Sequence, residues 1–181
     1  VDNANPSIIA EHIDESEVIT RLLIDTLSDG AVLSFGLESA DPQVYDANWL
    51  NCTTDQFKTA VRHINEHGSG RGPRGLPRLL PGVNLIAGLH GEGETTWNQN
   101  HALLDSILKE GLMLRRVNLR QVEGHGFPEL DKERFQADKR RIRETVDAPM
   151  LERIAPRRHV LPKVRWEAHG ERIRTPSEVE K

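Results

Sequence analysis

The chain has 181 residues, of which 36% are hydrophobic and 29% charged, with a formal net charge of −4. That is enough for one ordinary domain with a core of moderate size. A single cysteine, Cys52, excludes an internal disulfide and any all-cysteine metal or iron–sulfur site built from this chain alone. No apolar run approaches the ~18 residues a membrane span needs. The expected setting is reducing and cytoplasmic, with no membrane partner. The opening VDNANPSII has no signal-peptide pattern, and its start at Val1 suggests a processed or truncated product.

In chain order, DESEVITRLLIDTLSDG predicts a helix. Asp14 is the expected cap, with Glu17 as its capping-box partner, and Gly30 the stop. Val18, Ile19, Leu22 and Leu23 are the expected inner stripe. A strand follows over residues 31–37 and runs into SFGLESADP. Polar groups in an apolar strand need partners, since burying one bare costs about 1–3 kcal/mol. Ser34, Glu38 and Ser39 therefore suggest contact with ribose hydroxyls or an amino-acid ammonium. The alternative is a cap and turn at Ala40-Asp41-Pro42.

Cys52 precedes the next helix with no base nearby and is expected to be inert. That helix, TDQFKTAVRHINEHG, is capped by Thr54 in this reading. Phe57, Val61 and Ile64 face inward, and Gly68 ends it. HINEH matches the inverted zinc-peptidase pattern, with His63 and His67 as ligands and Glu66 as base. The apolar stripe puts these three toward solvent, so a solvated face is preferred. GSGRGPRG reads as a flexible connection, or as an anion site on Arg71 and Arg74.

VNLIA is the next strand, and GLHGEGE follows it. Gly88 and Gly91 give the turn backbone freedom, which lets a ligand approach the main chain. No phosphate-loop or dinucleotide fingerprint is present. TTWNQNHALLDSILKEG is a third helix ending at Gly111, and residues 112–122 form a third strand carrying Asn118, Arg120 and Gln121. The remainder differs. ELDKERFQADKRRIRETV reads as a charged helix broken at Pro149, and HVLPKVRWEAHGERIR as a hairpin turning near His169–Gly170. Residues 1–131 carry 10 basic and 19 acidic side chains, residues 132–181 carry 14 and 9. The basic tail offers a possible nucleic-acid contact.

Strands alternating with helices imply a parallel α/β sheet, either doubly wound or a (β/α) barrel. In both, ligands sit where strands end. Three strands do not close a barrel, and the open edge calls for a missing N-terminal part or a partner chain.

DNANP, SFGLESADPQVY, LPRLLPGVNLIAGLHGE and GLMLRRVNLRQV together resemble an archaeal family of radical S-adenosylmethionine proteins whose full-length members carry a C-terminal helix-hairpin-helix motif. The resemblance covers roughly residues 2–122 and continues more weakly at DAPML. It implies a partial (β/α) barrel over residues 1–122, followed by a basic helix and hairpin over 123–181. Such barrels hold a [4Fe-4S] cluster and S-adenosylmethionine at the strand ends, and cleave the latter to a 5′-deoxyadenosyl radical that abstracts hydrogen from substrate.

The resemblance assigns Ser34, Glu38 and Ser39 to the ribose or methionine part. It assigns Asn84, Ile86, Gly88 and Glu92, with the Gly91 turn, to adenine and its ribose. Asn118 and Gln121 fall near adenine and substrate. The family's Cys-x-x-x-Cys-x-x-Cys is absent, His90 stands where a proline is usual, and EGHGF replaces a more apolar segment. The chain alone is thus expected to yield no 5′-deoxyadenosine. Two other readings are a non-catalytic remnant or RNA-associated scaffold using the basic tail, and a zinc metallopeptidase on HINEH. The substrate is not specified by the sequence.

Overall fold

The computed structural model describes residues 4–122 and 124–155. The elements are α1 (Pro6–Glu11), α2 (Ile13–Thr26), β1 (Ala31–Glu38), α3 (Pro42–Asn48), α4 (Thr54–Gly68), β2 (Leu79–Ala87), α5 (Glu94–Lys109), β3 (Val117–Gln121), α6 (Lys132–Ile142), a π-helical turn (Arg143–Asp147) and α7 (Ala148–Ile154). The three strands form one open parallel sheet in the order β1-β2-β3. Parallel neighbours need crossovers, and α4 and α5 supply them. The mixed α/β class expected from the alternation is present. The third strand is shorter than the expected 112–122.

Alternation sorts each strand into two faces. Phe35 and Leu37 of β1 and Val83 and Leu85 of β2 bury against Phe57, Val61 and Ile64 of α4 and Leu104 and Ile107 of α5. Phe35 meets Phe57 edge-on, with ring centroids 6.1 Å apart. The opposite face carries Ser34, Gly36, Asn84, Asn118 and Arg120.

Thr53, not Thr54, caps α4, in a reciprocal capping box with Gln56. Asn65 reaches from α4 to the approach to β3: its Nδ2 donates to Met113 O at 3.0 Å and its Oδ1 accepts from Met113 N at 2.8 Å. Two short helices add to the expected elements: α1, which the sequence reading does not include, and α3, which starts at the cap weighed as the alternative at Ala40-Asp41-Pro42. Each begins Asx-Pro: Asn5 accepts from Ser7 N, and Asp41 from Gln43 N. A capping oxygen followed by proline in the first turn is a start signal that needs no long apolar pattern.

The expected stripe of α2 is corrected. Val18, Ile19 and Leu22 are 69%, 59% and 61% exposed, while Ser16 and Thr20 are buried. Of the four expected positions only Leu23 packs on the core. The helix is capped at His12 with no side-chain bond, so Asp14 lies inside it. Its orientation follows from a polar contact: Thr20 Oγ1 lies 3.2 Å from Nε2 of His63. This also corrects the solvated reading of HINEH at one position. His63 is buried under α2, whereas Glu66 is exposed.

The charged C-terminal helix does not break at Pro149. Proline has no N–H to give, and the turn before it widens to π geometry, after which helix resumes to Ile154. Ile142, Val146 and Met150 join the main core cluster. His101 Nε2 lies 3.0 Å from Asp138 Oδ1, both buried, and links α5 to α6. The expected hairpin and the end of the basic tail lie outside the described residues. Among the described residues no helix is long and apolar enough to cross a membrane.

Candidate functional site

The face of the sheet away from α4 and α5 is polar at its C-terminal end. Gly36, Asn84 and Asn118 stand in register across the three strands. Asn118 Nδ2 donates to Asn84 Oδ1 at 2.8 Å. One step toward the strand starts, Arg116 Nη2 donates to Ser34 Oγ at 2.9 Å. Two pairs further toward the strand ends, Ile86 stands beside Arg120.

Glu38 is the unusual member. The ladder slips between Gly36 and Glu38, so that Glu38 stands opposite Leu85. Its φ is +66°, in the left-handed region. A non-glycine residue there is strained by about 1 kcal/mol or more, and such strain gathers at functional positions. The bulge folds the carboxylate back over Gly36, where an added Cβ would lie 2.7 Å from Oε1. Oε2 is buried without a hydrogen-bond partner. Burial pushes the Glu38 carboxyl above the ordinary carboxylate range, and the charge of Arg120 partly opposes this.

The sign of the pH effect follows. With the folded pKa raised, the folded state holds the proton more tightly than the unfolded chain. Glu38 therefore subtracts from stability as pH rises above roughly 4.3, the free Glu value. Glu38→Gln is expected to melt higher than wild type at pH 7 and to match it near pH 4. A difference independent of pH contradicts this assignment.

The other expected positions divide. Ser39 is buried, and its Oγ accepts from Asp41 N at 3.2 Å, fixing the start of α3. Asp41 Oδ2 in turn accepts from Thr96 Oγ1 at 2.6 Å, and Asn100 Oδ1 from Ala40 N at 2.7 Å, so the segment after Glu38 is pinned to α5. Alternation places Gln121 with Leu119, on the helix side, away from Asn118.

The glycine turn is closed by protein groups. Glu92 Oε2 accepts from Gly88 N at 2.5 Å and Leu89 N at 3.2 Å, and its Oε1 accepts from Trp97 Nε1 at 2.8 Å. A Cβ on Gly88, whose φ is +88°, would lie 2.9 Å from Val122 O. Gly91, at φ +79°, packs on α3 near Gln43 and Ala47. The close approach these glycines allow is made by the β3–α6 connection and by α3. A cleft of about 200 Å³ opens on the helix side of this turn, between Trp97, Arg134 and Phe135; Glu38 is not among its walls.

Burial pushes the Cys52 thiol up to about 12, consistent with the inert reading. His63 and His67 stand with ring centroids 4.7 Å apart. Among the described residues, no three His, Cys, Asp or Glu side chains group as a metal would require. Of the polar-face arginines, the sequence reading marks Arg120 and misses Arg116. The alternation of Arg116, Asn118 and Arg120 was the signal that places them on one face.

No protein-family model matches the chain. An uncharacterized protein of Methanocaldococcus jannaschii is 40% identical over 171 residues, covering 89% of this chain and 32% of that protein. An uncharacterized protein of Archaeoglobus fulgidus is 37% identical over 180 residues, covering 94% of this chain and 34% of that protein. The chain thus spans about a third of the length of the curated relatives it matches.

Proposed function

We propose that this chain is the S-adenosylmethionine-binding part of a radical S-adenosylmethionine core, its sheet being one section of a partial (β/α) barrel. The observation that carries the reading is Glu38: a strained, half-buried residue whose Oε2 is buried without a hydrogen-bond partner, at the C-terminal end of a parallel sheet. Strand ends are where α/β sheets take ligands. The consecutive order β1-β2-β3 suits a barrel, which winds in one direction.

The residues fit the sulfonium nucleotide. Glu38 Oε2 is free to accept from its ammonium or a ribose hydroxyl, and the carboxylate's charge favours a cationic ligand. Asn84 and Asn118 stand in register with the neighbouring Gly36, and Arg120 stands two residues beyond Asn118. When bound, the nucleotide supplies a carbon–sulfur bond that reductive cleavage opens. The same residues do not fit a [4Fe-4S] cluster. The one cysteine is buried, its thiol is held protonated, and no cluster step is assigned to this chain. Isothermal titration of the chain with S-adenosylmethionine tests the reading. Saturable 1:1 binding, stronger than that of neutral S-adenosylhomocysteine, is expected, and no detectable heat or saturation contradicts it.

A further inference from the structure

Trp49 is 92% exposed, and its φ is +50°, in the left-handed region. It caps the end of α3, a place where glycine or asparagine sits with less strain. Burial returns nothing for that strain here, and bulky residues held in this region gather at functional positions. His90 and Phe127, both exposed, stack on each other with ring centroids 5.2 Å apart and planes 24° apart. Asn48, the residue before Trp49, ties α3 to this stack: its Nδ2 donates to His90 O at 2.8 Å and its Oδ1 accepts from His90 N at 3.2 Å. The three rings thus come from the segments that follow β1, β2 and β3, the end of the sheet where ligands enter. His90 and Phe127 also belong to the two places where the sequence departs from the family it resembles, one a usual proline and the other a more apolar segment. Two departures in contact replace one local surface by another, as loops do where specificity varies.

Exposed rings of this kind offer a face to another flat ring, whose π-system they accept whatever its substituents. Charge narrows the choice. Residues 41–54, 88–95 and 124–131 contain no Lys or Arg. They carry Asp46, Glu94, Glu129 and Asp131, all exposed. Arg120, at the end of β3, directs its charge at Glu38. Such a surface repels a chain of phosphates and admits a neutral or cationic ring. Single-stranded nucleic acid needs a basic track beside its stacking platform, and these segments supply acids instead.

We propose that Trp49 and the His90–Phe127 stack form the substrate-recognition rim of the site and take a flat heteroaromatic ring that carries no phosphate. The stacking platform stands on these residues alone; that the ring belongs to the substrate rests on the S-adenosylmethionine reading above. The test titrates guanosine into the isotope-labelled 181-residue chain, with and without saturating S-adenosylmethionine. The Trp49 indole N–H and the amides of His90 and Phe127 report the rim, and those of Gly36 and Glu38 report S-adenosylmethionine. Saturating shifts at the rim are expected under both conditions, with guanosine 5′-monophosphate binding more weakly than guanosine. Trp49→Gly should weaken guanosine at least fivefold, the low end of what one base–aromatic stack contributes. Its melting temperature should not fall, since glycine accepts the backbone angle and only exposed surface is lost. Trp49→Phe should restore binding to within threefold of wild type. No saturation at the rim, or equal affinity in Trp49→Gly, overturns the proposal. Tighter binding of hexauridylate than of guanosine also overturns it, for then the occupant is RNA. So does a dimer by light scattering that Trp49→Gly turns into a monomer, for then a second copy covers the ring. Guanosine shifts at the rim in a chain that S-adenosylmethionine leaves unmoved, or that it displaces, keep the platform and overturn its assignment to substrate.

Discussion

Gly68→Ala is expected to destabilise the fold by about 3 kcal/mol, the upper range for overpacking a core contact. Gly68 is the last residue of α4, and a Cβ there would lie 2.1 Å from Leu79 O and 2.9 Å from Leu79 C. Both are backbone atoms at the start of β2, so no rotamer change relieves the clash. The helix must lift from the strand, and α4 carries Phe57, Val61 and Ile64, all fully buried. For a chain of this size the melting temperature should fall by about 10 °C. Gly70→Ala is the control: nothing lies within 4 Å of its Cβ position, and the melt should barely change. Equal melts for the two variants would show that α4 does not seat on β2 as described.

Glu38→Gly should act in two opposite directions. Glycine adopts φ +66° without strain, and the buried orphan oxygen disappears with the side chain. Stability is expected to rise by about 1 kcal/mol. Affinity for S-adenosylmethionine is expected to fall at least tenfold, the loss of one charge-assisted hydrogen bond at about 1.4 kcal/mol or more. A position that weakens the fold while strengthening ligand binding is what a functional residue under strain should be. Lower stability, or unchanged affinity, would return Glu38 to a merely structural role.

The centres of the three long elements around α4, β2 and α5 were legible because apolar runs bounded by glycine are strong local signals. Their ends were less so. β2 begins at Leu79, several residues before VNLIA, because Pro81 reads as a breaker. It is tolerated since its carbonyl, not an N–H, is used, accepting from Arg115 N at 2.8 Å. The orientation of α2 was not legible. An amphipathic pattern shows that a helix has an apolar side, but not which neighbour is present to cover it. Thr20 and the buried His63 decided the matter through one polar contact.

The polar sheet face was legible in the sequence by position and not by geometry. Polar residues at strand ends drew notice to Glu38, Asn84 and Asn118. Nothing local announced that the ladder slips at Glu38, since a bulge is set by the partner strand. Glu92 looked equally ligand-facing, yet its carboxylate is taken up by two turn amides and an indole. A carboxylate after a glycine turn satisfies the turn's own donors first whenever it can reach them.

The most direct test is residue-resolved. Amide chemical shifts of the isotope-labelled chain, followed while S-adenosylmethionine is added, should move at Gly36, Glu38, Asn84 and Asn118. They should stay still at His63, His67 and the Trp97–Phe135 cleft, and Glu38→Gln should abolish the movement. Saturating shifts confined to the cleft, or none anywhere, would contradict the assignment of the polar sheet face as the S-adenosylmethionine site.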